Sequence, residues 1–126
     1  MKRPDSLQEV AAWSNDRRHF HRHLADFLDQ FRIERRLEML AVEPERLASR
    51  FDGGDVCDAY LAAVAVSLTR EIGAVPPAWA WAKDRKLKHP WFASPGPAIR
   101  AMLLWESPAP FRERNLFVSE NALARA

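Results

Sequence analysis

Three histidines, His19, His21 and His23, stand at alternate positions, and imidazole is both the commonest metal ligand and the side chain that titrates nearest neutral pH. On a helix His19 and His23 lie four apart and share a face, with Asp16 and Asp26 close to it, while His21 points elsewhere. A divalent cation could be held on such a face. A structural or catalytic zinc ion wants three or four converging protein ligands, and beyond this cluster the sequence offers only His89. The spacing therefore favours a solvated polar face opposite Phe20 and Leu24. A metal-dependent enzyme at His19 and His23 is the weakest of three readings, and no cofactor is expected.

Cys57 falls near the start of an apolar stretch, where a helix dipole would lower a thiol pKa. A nucleophile also needs a base, and no histidine lies near it in sequence, so a small buried apolar role is expected. Carboxylate pairs such as Asp26/Asp29 and Glu34/Glu38 fall on outward helical faces, where they serve solubility rather than acid–base work. No Gly-rich phosphate loop or helix-turn-helix pattern is visible. A non-enzymatic role is the expectation.

Binding chemistry is better represented. Arg17-Arg18 with Arg22, Arg35-Arg36, and Lys83 to Lys88 with His89 are the basic places. The last lies beside Trp79, Trp81 and Trp91, the mixture of cations and aromatic rings with which single-stranded nucleic acid is held. Prolines flanking those tryptophans suggest instead that the rings lock turns onto a core. In Phe111-Arg112-Glu113-Arg114-Asn115, one helical turn would let Phe111 face Asn115 while Arg112 and Arg114 diverge. Those arginines either pair with local acids or helix C-termini and hold the tail down, or anchor an acidic partner, since arginine beside aromatic residues is enriched in binding hot spots. The candidate partner-binding set is Arg85, Lys86, Trp91, Arg112 and Arg114.

The element that must position these residues is Val56 to Ile72, VCDAYLAAVAVSLTREI, apolar at every position from Ala59 to Val66. Without a polar stripe, such a helix has to be covered on most sides. It is too short and too charged at its ends to span a bilayer. Before it, Ser6 and Glu9 make a capping box, and Phe20, Leu24, Phe27, Leu28 and Phe31 form one helical face. A short amphipathic helix is expected over Ile33–Val42 with Ile33, Leu37 and Leu40 inward, interrupted by Pro44, with a further turn or two over Glu45–Phe51. Asp52 or Asp55 would cap the central helix and Gly73 would end it in the left-handed conformation. Further on, Pro76-Pro77 starts a short helix or extended turn, and Pro97 or Ala98 to Glu106 reads as a helix with Ile99, Met102, Leu103 and Trp105 facing the core. Ser107-Pro108-Ala109-Pro110 stops it, and Leu116 to Val118 is extended, followed by a last helical turn capped by Ser119.

The chain has 126 residues, 48% hydrophobic and 29% charged, a balance that argues against disorder, and its length suits one domain covering residues 1–126. Only four glycines stand against nine prolines, which crowd the second half. The reading is an all-α, compact single-domain bundle of roughly five to seven helices around the central apolar helix at about 56–72. A formal net charge of +2 is too small to mark a nucleic-acid protein by itself. The N-terminus MKRPDSLQEV lacks the apolar core of a signal peptide, so a cytoplasmic location without membrane contact is expected.

Pro77-Ala78-Trp79, Pro90-Trp91-Phe92, Ser107-Pro108 followed by Phe111-Arg112, Arg114-Asn115 and Phe117-Val118, and finally Leu123 and Arg125-Ala126 carry a resemblance. About the last fifty residues resemble a group of small bacterial antitoxin-like helical proteins. In that group the module sometimes follows a helix-turn-helix domain, and it tends to be encoded near nucleotidyltransferase-like proteins. The resemblance implies a toxin–antitoxin-type pair in which the small helical protein binds or neutralises its partner, and it supplies no catalytic residues. No DNA-binding domain precedes the module in this chain, a departure from the fused pattern. A protein-binding module with a partner encoded nearby is thus the first reading and a small nucleic-acid-associated regulator the second. Exposed aromatics would equally serve a homodimer.

Overall fold

The computed structural model of the protein describes residues 2–123, so Arg125 and Ala126 lie outside the described residues. Among these residues the chain is mostly helical, with six α-helices, two 3-10 turns and one two-stranded sheet. Helix α1 (Leu7–Trp13) starts on the expected box: Ser6 Oγ accepts from Glu9 N at 3.1 Å, and Asp5 N donates to the Glu9 carboxylate at 2.8 Å. Helix α2 (Arg17–Glu34) is capped by Asp16, whose carboxylate accepts from His19 N. Its buried stripe is Phe20, Leu24, Phe27, Leu28 and Phe31, as the spacing predicts.

Between α2 and the central helix the outcome differs from the sequence reading. Helix α2 runs on to Glu34 and breaks at Arg35, which takes a left-handed conformation at φ 48°. Only Glu38–Ala41 forms the next helix, α3, burying Met39 and Leu40. Ile33 and Leu37, expected inside, are exposed. Ile33 is still within α2 and, two residues after Phe31, falls on the opposite side of that helix, while Leu37 lies past the break.

Helix α4 (Gly54–Glu71) is the central rod, and every residue from Cys57 to Val66 is buried. Its alanines, Ala59, Ala62, Ala63 and Ala65, have no exposed surface and let neighbouring elements approach closely. The helix begins two residues earlier than expected. It is led in by Gly53 at φ 83° with no side-chain cap, so neither Asp52 nor Asp55 caps it. A Cβ on Gly54 would stand 1.9 Å from the Leu47 carbonyl oxygen, because the 47–51 turn lies directly against the start of the rod. Gly73 follows the helix at φ 70°, the left-handed exit that was anticipated.

The second half wraps the rod with short pieces. The 3-10 turns Ala78–Trp81 and Lys83–Arg85 both pack on α4, as does helix α6 (Ala109–Arg112). Phe111 meets Tyr60 edge-on at 5.0 Å between ring centroids, and Tyr60 meets Phe20 in the same manner. Strands β1 (Trp91–Phe92) and β2 (Leu116–Phe117) pair in parallel, with Trp91 opposite Leu116. Helix α5 (Pro97–Glu106) sits outside this arrangement and meets the rest chiefly through β2. Of its residues only Leu103 is buried; Ile99, Met102 and Trp105, expected to face the core, are exposed. No helix among the described residues is long and apolar enough to cross a membrane.

Candidate functional site

Asp58, one turn into α4 beyond Cys57, organises the region where the candidate residues meet. Its carboxylate is 1% exposed and accepts from the backbone N–H groups of Leu47 at 2.6 Å and Ala48 at 3.0 Å. The same residue's carbonyl oxygen accepts from Arg85 Nη1 at 3.2 Å. Burial pushes the Asp58 carboxyl up from its ordinary range, opposed by the two amide donors and by the charge of Arg85.

Arg85, expected on a partner surface, is completely buried. It leaves the second 3-10 turn pointing inward, lies over the Trp79 ring at 4.8 Å, and donates through Nη2 to the Pro44 carbonyl. Trp79 is itself fixed by an Nε1–H bond to Leu40 O. Arg114 has the same design: at 4% exposure it donates to Pro110 O and Ala80 O, both at 2.8 Å, and lies over the Trp81 ring at 5.0 Å. Each guanidinium thus bridges two carbonyl groups and one indole face. Burial lowers the pKa of both arginines.

The other candidates lie differently. Lys86 and Arg112 are exposed and Trp91 is half-buried. Arg114 and Asn115 bind the 87–91 segment through Leu87 N to Arg114 O, Asn115 Nδ2 to Leu87 O and Trp91 N to Asn115 O. Asn115 takes φ 62° to make that turn, a conformation asparagine tolerates better than most residues. Arg85, Lys86 and Arg114 consequently line one small cavity of about 100 Å³, with Trp81 and Glu113. Lys86 and Trp91 also line a larger groove of about 570 Å³, where Lys83, Lys88 and His89, together with the carboxylates of Asp55 and Asp84, surround Val56 and Leu87. Arg112 belongs to neither.

Cys57 is 2% exposed and burial pushes its thiol up to about 12, the reverse of activation. His19 and His23 have ring centroids 6.3 Å apart, and His23 also meets Trp13 edge-on. Among the described residues no group of three or more His, Cys, Asp or Glu could hold a metal ion.

Helix α5 supplies what the sequence reading missed. Trp105 is 88% and Met102 60% exposed, with Ile99 and Leu104 exposed beside them. Ala98, Ala101, Met102 and Trp105 recur at the i, i+3, i+4, i+7 spacing of one helical stripe, and no charge interrupts it. Arg100 is turned aside onto the Phe92 ring at 5.1 Å. The signal was present in PAIRAMLLWE, a helix with apolar side chains on more than one face. Comparison of the chain with protein-family models, with curated proteins and with solved structures finds no match.

Proposed function

We propose that the protein is a non-enzymatic protein-binding module, the antitoxin-like partner of a toxin or nucleotidyltransferase-like protein encoded nearby, and that helix α5 is the part that docks. The observation that carries this reading is the α5 stripe. A ten-residue helix that exposes Ile99, Met102, Leu104 and Trp105 leaves large apolar surface in water. Covering such side chains contributes about 1.5–3 kcal/mol each. Met102 and Trp105 share with Ala98 and Ala101 the i, i+3, i+4, i+7 spacing that an amphipathic helix uses on entering an apolar groove, and tryptophan is enriched among the residues that dominate binding energy. The occupant that fits is a partner presenting an apolar groove, because the stripe carries no charge to be matched.

Co-expression with the product of the adjacent reading frame tests the reading. A stable complex is expected, and Met102→Glu with Trp105→Glu should abolish co-purification while the free variant keeps its melting temperature. A complex that survives both substitutions contradicts the assignment of α5. Nucleic-acid binding is the second reading, favoured by the groove where Lys83, Lys86, Lys88 and His89, together with Trp91, outnumber the carboxylates of Asp55 and Asp84. It requires an affinity that falls steeply with added salt, and no binding of single-stranded oligonucleotides at low salt removes it.

A further inference from the structure

The groove beside the start of α4 carries charge that the fold itself does not use. Lys83, Lys86 and Lys88 line it and are exposed, and among the described residues their ammonium groups make no hydrogen bond or ion pair. Two carboxylates share the groove. Asp84 accepts from Arg46 Nε at 2.6 Å and from Arg46 Nη2 at 2.9 Å, so its charge is already matched. Asp55 is left against three ammonium groups, a surplus of two positive charges. Val56 and Trp91, both half-buried, and Pro90 add apolar surface. The volume of about 570 Å³ lies within the range of roughly 300–1,000 Å³ over which concave sites hold a ligand.

We propose that this groove takes an acidic segment of a protein partner, with one apolar side chain of the segment against Val56 and Trp91 and its carboxylates on Lys83, Lys86 and Lys88. The site goes beyond the docking of α5 and stands whether or not that helix binds. Surplus positive charge on exposed side chains steers an acidic chain into the groove and selects against basic ones. The apolar surface supplies affinity that salt does not screen. A single-stranded nucleic acid fits less well. Successive bases stack on successive rings, and of Trp79, Trp81 and Trp91 only Trp91 lines the groove. The other two rings carry Arg85 at 4.8 Å and Arg114 at 5.0 Å. Asp55 also repels a continuous run of phosphates, whereas a peptide can place a neutral residue beside it.

Fluorescence anisotropy of the full chain with a short fluorescein-labelled oligoglutamate peptide carrying one central leucine tests the site, beside a labelled oligothymidylate of equal length. Saturable binding of the peptide is expected at low salt, with a Kd of about 1 mM or tighter. Lys86→Glu with Lys88→Glu should weaken it about tenfold, and because both side chains are exposed the circular dichroism should not change. Arg18→Glu with Arg22→Glu makes the same change of net charge on exposed residues of α2 outside the groove, and should leave the Kd within about twofold. Replacing the leucine of the peptide by glycine should weaken binding about fivefold. Absence of saturable binding, equal losses from the two double variants, or indifference to the leucine overturns the proposal. Tighter binding of the oligothymidylate than of the peptide, lost with Lys86 and Lys88, also overturns it and assigns the groove to nucleic acid.

Discussion

At the scale of single residues, the difference between Arg112 and Arg114 decides how the arginine-rich end is understood. Two positions apart in FRERN, they diverge as one helical turn requires, but which of them turns inward depends on Ala80 and Trp81, more than thirty residues earlier. The sequence held both outcomes open for that reason. Arg114→Glu puts a carboxylate among the carbonyl oxygens of Pro110 and Ala80, and should destabilise the fold by about 3 kcal/mol or more. Arg112→Glu, on an exposed side chain, should change stability by at most about 0.5 kcal/mol. Urea denaturation of the two variants measures both, and equal stabilities would contradict the bracing role of Arg114. Cys57 and Tyr60 make a prediction of their own. Burial raises the thiol from 9.0 to about 12 and the phenol from 10.0 to about 12. Both groups are therefore neutral in the folded chain at pH values where the unfolded chain has lost its protons. Their contribution to stability is fully present below about pH 9 and is lost as pH rises from there to about 12. Stability measured by denaturant across that window should fall, and Cys57 should resist alkylation at pH 8 until the chain is unfolded.

At the scale of elements, the rod was legible and its surroundings were only partly so. An apolar run from Ala59 to Val66 can be read only as an element covered on most sides, and α4 is that element. Its start was displaced because the lead-in depends on contact with the 47–51 turn, which no local pattern encodes. Gly54→Ala tests that contact: with a carbonyl oxygen 1.9 Å from the new Cβ, the turn or the helix must shift, and a loss of about 2–3 kcal/mol is expected by thermal or urea denaturation. A melting temperature equal to that of the parent would show that the 47–51 turn does not press on the rod. Helix α5 was placed correctly in sequence and turned the wrong way in space. Apolar residues at helical spacing suggest a core, but α5 meets the rest chiefly through β2, and Leu103 alone of its residues is buried. Burial is a one-way rule, since apolar side chains also occupy surfaces. The β1–β2 pairing escaped notice because two-residue strands carry no alternation to detect.

At the scale of the whole molecule, the fold separates two kinds of surface. Arg85, Arg114, Trp79 and Trp81 tie the proline-rich second half to the rod, and Lys86 with the neighbouring lysines gives that side a basic rim. Helix α5, reached through β2, presents an uncharged apolar stripe. The exposed stripe is the observation behind the proposed protein partner, while Cys57 is buried and the rings of His19 and His23 stand 6.3 Å apart. The most direct measurement is the affinity of the purified chain for the product of the adjacent reading frame, compared between the parent and Trp105→Ala. The account predicts a loss of at least about 2 kcal/mol, roughly thirtyfold in Kd, with the melting temperature of the free protein unchanged because the indole is 88% exposed. An unchanged Kd would contradict it.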